Sequence, residues 1–248
     1  MSTARIGIAG WSVPAGYRAA ETTATHLERY ATYFDCVEIN STFSRTHRFE
    51  TFVRWAAGVP SSFRFSAKLP RGITHDRRLC DCEDAIAYFC ATVAGLGVKL
   101  GALLVQLPPS LNFDEFAAEV AFRRLGRETP ARIVCEARHS SWFSPEVDRF
   151  LAAAGVTRVI ADPCRHALLE SPVADAAFSY RRLHGKPRTY YSPYTSANLL
   201  ELASRLQHRP RGAEAWCIFD NTTLGAAWPN ALELKDNLQC QGPRPPAG

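Results

Sequence analysis

A (β/α)8 barrel, the TIM-barrel class, is the fold the sequence predicts, and three observations predict it. Short apolar runs alternate with amphipathic stretches along the chain. Eight such strand–helix units fit in 248 residues, and a barrel of this kind takes about 250. The first apolar run leads into Gly10-Trp11-Ser12 instead of a glycine-rich dinucleotide fingerprint, which turns the reading away from a doubly wound sheet.

The elements follow in order. Arg5–Gly10 is a strand, and Glu21–Phe34 has helical spacing, with Leu27, Tyr30, Ala31 and Phe34 on one face. Cys36–Ile39 is the second strand, followed by a helix over Phe49–Ala57. Phe63–Lys68 is the third, followed by an alanine-rich helix over Glu83–Leu96. Gly101–Gln106 runs apolar without a break, as a parallel strand buried on both faces does. Asp114–Leu125 is a helix, with Asp114 where a helix start favours negative charge. Arg132–Ala137 is the fifth strand. Ser144 as cap and Pro145 at the first helical position open a helix to Ala154, which Gly155 ends. Thr157–Ala161 and Phe178–Leu183 are the sixth and seventh strands. Asp162–Ala177 between them has room for only a turn or a short helix, so one helix of the eight is short or missing. Thr195–Gln207 is a helix, Glu214–Phe219 the eighth strand and Gly225–Leu238 the closing helix. One barrel domain over residues 1–240 is expected, with a disordered Pro/Gly-rich tail over residues 241–248.

Composition narrows the setting. With 46% hydrophobic and 21% charged residues, the chain has the make-up of a globular protein. It contains no apolar run of about 18 residues, so no membrane span is expected. The N-terminal stretch leads straight into a strand and does not read as a signal peptide. Of its 8 cysteines, Cys36, Cys135 and Cys217 lie in strand-like runs, where thiols pack as small hydrophobes. Cys80 and Cys82 are too close for a zinc knuckle. Reduced thiols and a cytoplasmic location are the expectation. The formal net charge of +5 is mild; it allows an anionic partner without requiring nucleic acid.

Barrels of this class carry their functional residues at the C-terminal ends of the strands. Those positions here are Trp11; Glu38 and Asn40; Lys68; Gln106; Glu136, Arg138, His139 and Trp142; Asp162; Arg182 and His184; and Asp220-Asn221. Strand alternation puts Glu38 with Asn40, Glu136 with Arg138, and Arg182 with His184 on inward faces, and turns Val37, Ile39 and Leu183 toward the helices.

GWS, VEINSTFSR, FRFSAKLPRGITH, KLGALLVQLPPSL, CEARHSSW, YRRLHG and the Asn221/Asn230 pair occur in this order from Gly7 to about Leu238. Together they resemble the YecE-like family, domain of unknown function 72. The resemblance implies a TIM barrel similar in architecture to the xylose isomerase and apurinic endonuclease group, and implies no reaction. Three departures stand out. The family's second Trp and Phe-Tyr-Pro are replaced by VPAGYRAAE, its Phe-Tyr-Arg is Phe43-Ser44-Arg45, and its paired asparagines are Asp220-Asn221.

The chemistry of these residues suits an anion. The guanidinium fork of Arg138 and Arg182 matches phosphate or carboxylate. Glu38, Glu136 and His184 are the candidate catalytic acid–base groups. Trp11, Asn40, Lys68, Gln106, Arg138, His139, Trp142, Asp162, Arg182 and Asn221 are the candidate substrate-binding residues. The competing structural reading is a self-satisfied ionic network closing the mouth. No cofactor and no metal ligand are assigned. A divalent ion remains open, since ligand types are present, but three cations crowd them and no spaced His–His or Glu–His pair occurs. Tyr190, Tyr191 and Tyr194 with Arg188 and Lys186 form a basic aromatic loop that either stacks on nucleic acid or packs on the rim. The expected partner is a small anionic or sugar-like ligand. The first functional expectation is a hydrolase- or lyase-like enzyme acting on a phosphate- or sugar-containing substrate. The second is a nucleic-acid- or metabolite-binding barrel without turnover. Oligomeric state is not legible.

Overall fold

The computed structural model describes residues 3–17, 23–163, 177–210 and 212–240. The fold is α/β with parallel sheets. One sheet runs β1 (Thr3–Ile8), β9 (Glu214–Phe219), β8 (Phe178–Leu183) and β7 (Ile160–Asp162). The other takes β2 (Cys36–Ile39), β3 (Arg64–Lys68), β4 (Leu100–Gln106), β5 (Arg132–Glu136) and β6 (Val156–Arg158) in sequence order. Every pairing is parallel.

The sheets meet at two seams. At one, Ala9 bridges Glu38 and the Gly10 N–H donates to the Glu38 carbonyl at 2.9 Å. At the other, only Val159 separates β6 from β7. The single sixth strand expected over Thr157–Ala161 is therefore two. The chain pairs with β5 up to Arg158, Val159 N–H donates to the Cys135 carbonyl, and the next residues pair with β8.

Strand alternation sorts the core into two bodies. Val37, Ile39, Leu103, Val105, Ile133, Leu183 and Phe219 face outward and pack with helix residues such as Phe52, Ile86, Phe122, Leu151 and Leu234. Cys36, Ala102, Leu104, Val134, Val159, Phe178, Tyr180, Trp216 and Ile218 form a separate inner cluster drawn from both sheets. Gly101 is required here. A Cβ on it would sit 2.7 Å from the Trp216 ring, and the β3–β4 register skips this residue as a bulge.

The helices follow local signals. α1 (His26–Tyr30) is shorter than expected, because Thr25 and Glu28 close a capping box at its start. α2 (Phe49–Ala57) has the expected bounds, and α3 (Glu83–Val93) passes into a 3-10 stretch. Asp114 caps α4 (Glu115–Glu128), accepting from Ala117 N–H at 2.9 Å. Ser144 caps α5 (Pro145–Ala153), with Pro145 in its first turn and Gly155 at φ 67° beyond it. Thr195 caps α6 (Ser196–Gln207), and α7 (Ala227–Cys240) closes the chain. Most of the expected turn or short helix after Asp162, residues 164–176, lies outside the described residues, as does the tail 241–248. Among the described residues no helix is long and apolar enough to cross a membrane.

Candidate functional site

Two residues beyond the inner apolar cluster, the same strands carry an ionic one. Arg182 of β8 is its centre and is fully buried. A guanidinium has five N–H donors, and each has an acceptor here. Nε donates to Glu38 Oε2 at 3.0 Å and Nη2 to Glu38 Oε1 at 2.7 Å, a bidentate fork across the interior. Nη2 also reaches Asp220 Oδ2 at 2.9 Å, while Nη1 reaches Gln106 Oε1 at 3.0 Å and Glu136 Oε2 at 2.5 Å. Glu38, Gln106 and Glu136 come from one sheet, and Arg182 and Asp220 come from the end of the other.

His184 bridges two of these carboxylates, with Nδ1 3.1 Å from Asp220 Oδ2 and Nε2 3.1 Å from Glu136 Oε1. Burial works against its charged form, but Glu136 and Asp220 outweigh it and raise the pKa. The two flanking carboxylates favour the protonated ring, the form that can donate from both nitrogens. Burial also opposes the Glu136 carboxylate, yet Arg182, His184 and Arg138 hold its pKa well below the usual range. Asp220 is lowered by Arg182 and His184, again against burial. Beneath, Tyr180 donates to Glu38 Oε2 at 2.9 Å, and its hydroxyl lies 2.6 Å from Ser66 Oγ. At the rim, Arg138 is 2.8 Å from Glu136 Oε1 and donates to Tyr190 Oη at 2.9 Å.

The structure thus brings together Glu38, Gln106, Glu136, Arg138, Arg182 and His184, and puts Lys68 beside them at the end of β3. Five expected residues stand elsewhere. Trp142 is 1% exposed, donates to the Leu111 carbonyl at 3.0 Å and packs edge-on to Phe113, so it cannot stack on a ligand. His139 caps the 3-10 turn after β5, with Nδ1 on Ser141. Asp162 pairs with Lys186 at 3.2 Å and faces a separate cavity of about 180 Å³ against α6. Asn221 donates to the Ser192 carbonyl and to Asn230 Oδ1, fastening the loop after β8 to α7. Trp11 is half-buried, edge-on to Trp55 at 4.9 Å. Arg182, expected to hold substrate, has all five N–H donors engaged by Glu38, Gln106, Glu136 and Asp220. Asp220, named at its strand end but not among the candidate site residues, joins the cluster, as do Tyr180 and Ser66, which sequence reasoning missed; each lies two residues along its strand from another inward residue. The tyrosines of the basic aromatic loop are engaged within the fold. Tyr190 holds Arg138, Tyr194 is buried and donates to the Asp162 carbonyl, and Arg188 stacks on Tyr191 at 3.7 Å.

What the cluster leaves unspent is mainly donors, with Asp220 Oδ1 the one carboxylate oxygen that has no hydrogen bond among the described residues. The carboxylates of Glu38 and Glu136 have both oxygens occupied. The Gln106 amide accepts through Oε1 and keeps its NH2. Arg138 keeps Nη1, and the half-buried Asn40 side chain has no hydrogen bond among the described residues. Lys68 Nζ has neither an ion pair nor a hydrogen bond among them; it lies 4.2 Å over the Phe43 ring. Among the described residues no group of three or more His, Cys, Asp or Glu is placed to hold a metal ion, and the described cysteines are free thiols.

These features define a TIM-barrel-like α/β protein with an ionic cluster at its strand ends. A family described as "Protein of unknown function DUF72" matches residues 5–247, and the chain belongs to that family. It is 32% identical over 163 residues to UPF0759 protein YecE of Escherichia coli K12, covering 63% of this chain and 58% of that relative's length. Two crystal structures of DUF72 family proteins share the fold. That from Enterococcus faecalis V583 has a TM-score of 0.79 at 22% identity, covering 96% of each chain. That from Thermotoga maritima MSB8 has a TM-score of 0.78 at 24% identity, covering 96% of this chain and 99% of that one.

Proposed function

We propose that the two sheets are halves of one eight-staved TIM barrel, a single domain over residues 1–240, whose mouth binds a small anionic ligand. In this reading the ligand is a phosphate- or sugar-containing compound, and the site acts on it as a hydrolase or lyase does. One observation carries the reading. After the buried cluster has paired, the groups left at the mouth are mainly donors and cations, Arg138 Nη1, the Gln106 amide, the Asn40 amide and Lys68, against one carboxylate oxygen, Asp220 Oδ1. A site meant for a cation would leave acceptors instead. Glu136 and His184 share a proton-transfer contact held rigid by Arg182, which fits general acid–base work at the ligand. The ring closure rests on the seams at Ala9–Glu38 and Val159, and on side chains from both sheets meeting at Arg182.

Calorimetric titration with inorganic phosphate, and separately with a sugar phosphate, tests it. Binding in the micromolar-to-millimolar range is expected, weakened by about tenfold or more in Arg138→Ala, as loss of a charge-assisted bond requires. Absence of binding by both anions, or equal binding by the variant, overturns the reading.

A further inference from the structure

Only four of the 29 Lys and Arg residues are lysines: Lys68, Lys99, Lys186 and Lys235. Arginine is this chain's ordinary cation, so a lysine beside the ionic cluster is a departure from its own habit. The other three lysines are spent on acceptors. Lys99 Nζ donates to the Ala56 and Val59 carbonyls at 2.6 Å each, Lys186 pairs with Asp162 at 3.2 Å, and Lys235 donates to the Tyr33 carbonyl. Lys68 is 7% exposed, yet its Nζ has no acceptor among the described residues.

Its position is fixed without a hydrogen bond to the nitrogen, which lies over the face of the Phe43 ring. The Thr42 hydroxyl hydrogen-bonds the Lys68 carbonyl at 2.6 Å, and the Phe43 ring supports the end of the side chain at 4.2 Å. Nearby charges are Arg182 on one side and Glu38, Asp220 and Glu136 on the other, but those carboxylates are committed to Arg182 and His184. Burial, then Arg182, lower the Lys68 pKa; the carboxylates offset this only in part. An arginine could fill the same place as a cation but could not give up its proton, and a lysine can. Buried amines with a cationic neighbour are the arrangement that makes a lysine nucleophilic.

We propose that Lys68 is a covalent nucleophile that forms a Schiff base with a small aldehyde or ketone carrying a phosphate or carboxylate group. The inference rests on the anion-binding reading of the mouth and deepens it: Arg138, Gln106 and Asn40 hold the anionic end, and Lys68 meets the carbonyl. The free amine adds through nitrogen to the carbonyl carbon. The carbonyl oxygen takes both amine hydrogens and leaves as water, and C=N replaces C=O. No oxidant or reductant enters. On taking up a proton from solvent the imine becomes an iminium, an electron sink for breaking or forming a bond next to that carbon, which places the chemistry among lyases and not hydrolases.

Reductive trapping tests this. The full chain is incubated with glyoxylate, and separately with dihydroxyacetone phosphate, in the presence of sodium borohydride, and read by intact mass and peptide mapping. The adduct is expected predominantly at Lys68 among the four lysines, since a lowered pKa leaves more of its amine unprotonated. Lys68→Arg keeps the charge but has no amine that can give up its proton, so it should lose the adduct. Mapping of the unmutated chain gives the answer even if that variant fails to fold. Phosphate binding without a Lys68 adduct, or label spread evenly over the four lysines, overturns the nucleophile and leaves the anion site standing. An adduct at Lys68 without phosphate binding removes the anion site and keeps the nucleophile.

Discussion

The interior between the sheets has two tiers that use the same strands and opposite chemistry. Cys36, Leu104, Val134, Tyr180 and Ile218 make the apolar tier; two residues further along each strand stand Glu38, Gln106, Glu136, Arg182 and Asp220. In the lower tier each side chain contributes by the area it removes from water, and the loss of one leaves the others in place. The upper tier carries a desolvation cost of several kcal/mol per ion, offset only while the pairing is complete. Its stability is therefore indivisible where that of the lower tier is additive.

The sharpest way to break this contrast is Arg182→Met. It leaves Glu38, Glu136 and Asp220 buried without their common partner, and a loss of roughly 3–5 kcal/mol is expected in urea unfolding. A change below about 1 kcal/mol would mean the carboxylates find water once the arginine goes, and the tier is not indivisible. Leu104→Ala, one tier down, should cost about 3 kcal/mol through the cavity it opens, with an unchanged denaturant slope.

Stability against pH separates the tiers without mutation. The His184 pKa is raised on folding, so its contribution is complete below the ordinary histidine value of about 6.5 and is lost as pH rises through the folded value. Glu136 and Asp220 are lowered, so theirs is complete above about 4.5 and is lost as pH falls through the folded values. A plateau between about pH 4.5 and 6.5 with a decline on either side is expected in thermal unfolding. His184→Gln should remove the alkaline decline; persistence of that decline would assign it to another group. The smallest effect belongs to Lys68→Met. This cation has no acceptor among the described residues, so stability should stay within about 1 kcal/mol or rise. A loss like that of Arg182→Met would show that Lys68 belongs to the paired network after all.

The sequence revealed the alternation of strands and helices and most of the cluster, because period two places Glu38, Glu136, Arg182 and His184 inward whatever the details. It hid whatever depends on where the chain goes after a strand ends. His139 and Trp142 follow β5 closely, but the 3-10 turn carries them away from the mouth and into a cap and the core. At the end of β9 the choice fell on Asn221, whereas the alternation from Trp216 through Ile218 lands on Asp220; one residue of slip exchanges the faces. Tyr180 was passed over because a strand tyrosine reads as ordinary core, and only the fold brings Glu38 and Ser66 to its hydroxyl. The break at Val159 left no local mark, since it records which neighbour each half of the strand pairs with.

Glu38 is occupied at both of its ends. Its carboxylate grips Arg182, and its carbonyl receives the Gly10 amide where the two sheets are joined by a single bridge. If the mouth takes the proposed anion, Glu38 is the residue through which its occupation would reach the join. The Gly10 amide works as a gauge: its exchange with deuterated water should slow when the mouth is filled and quicken when Arg182 is removed, reporting on the site without any substrate being turned over.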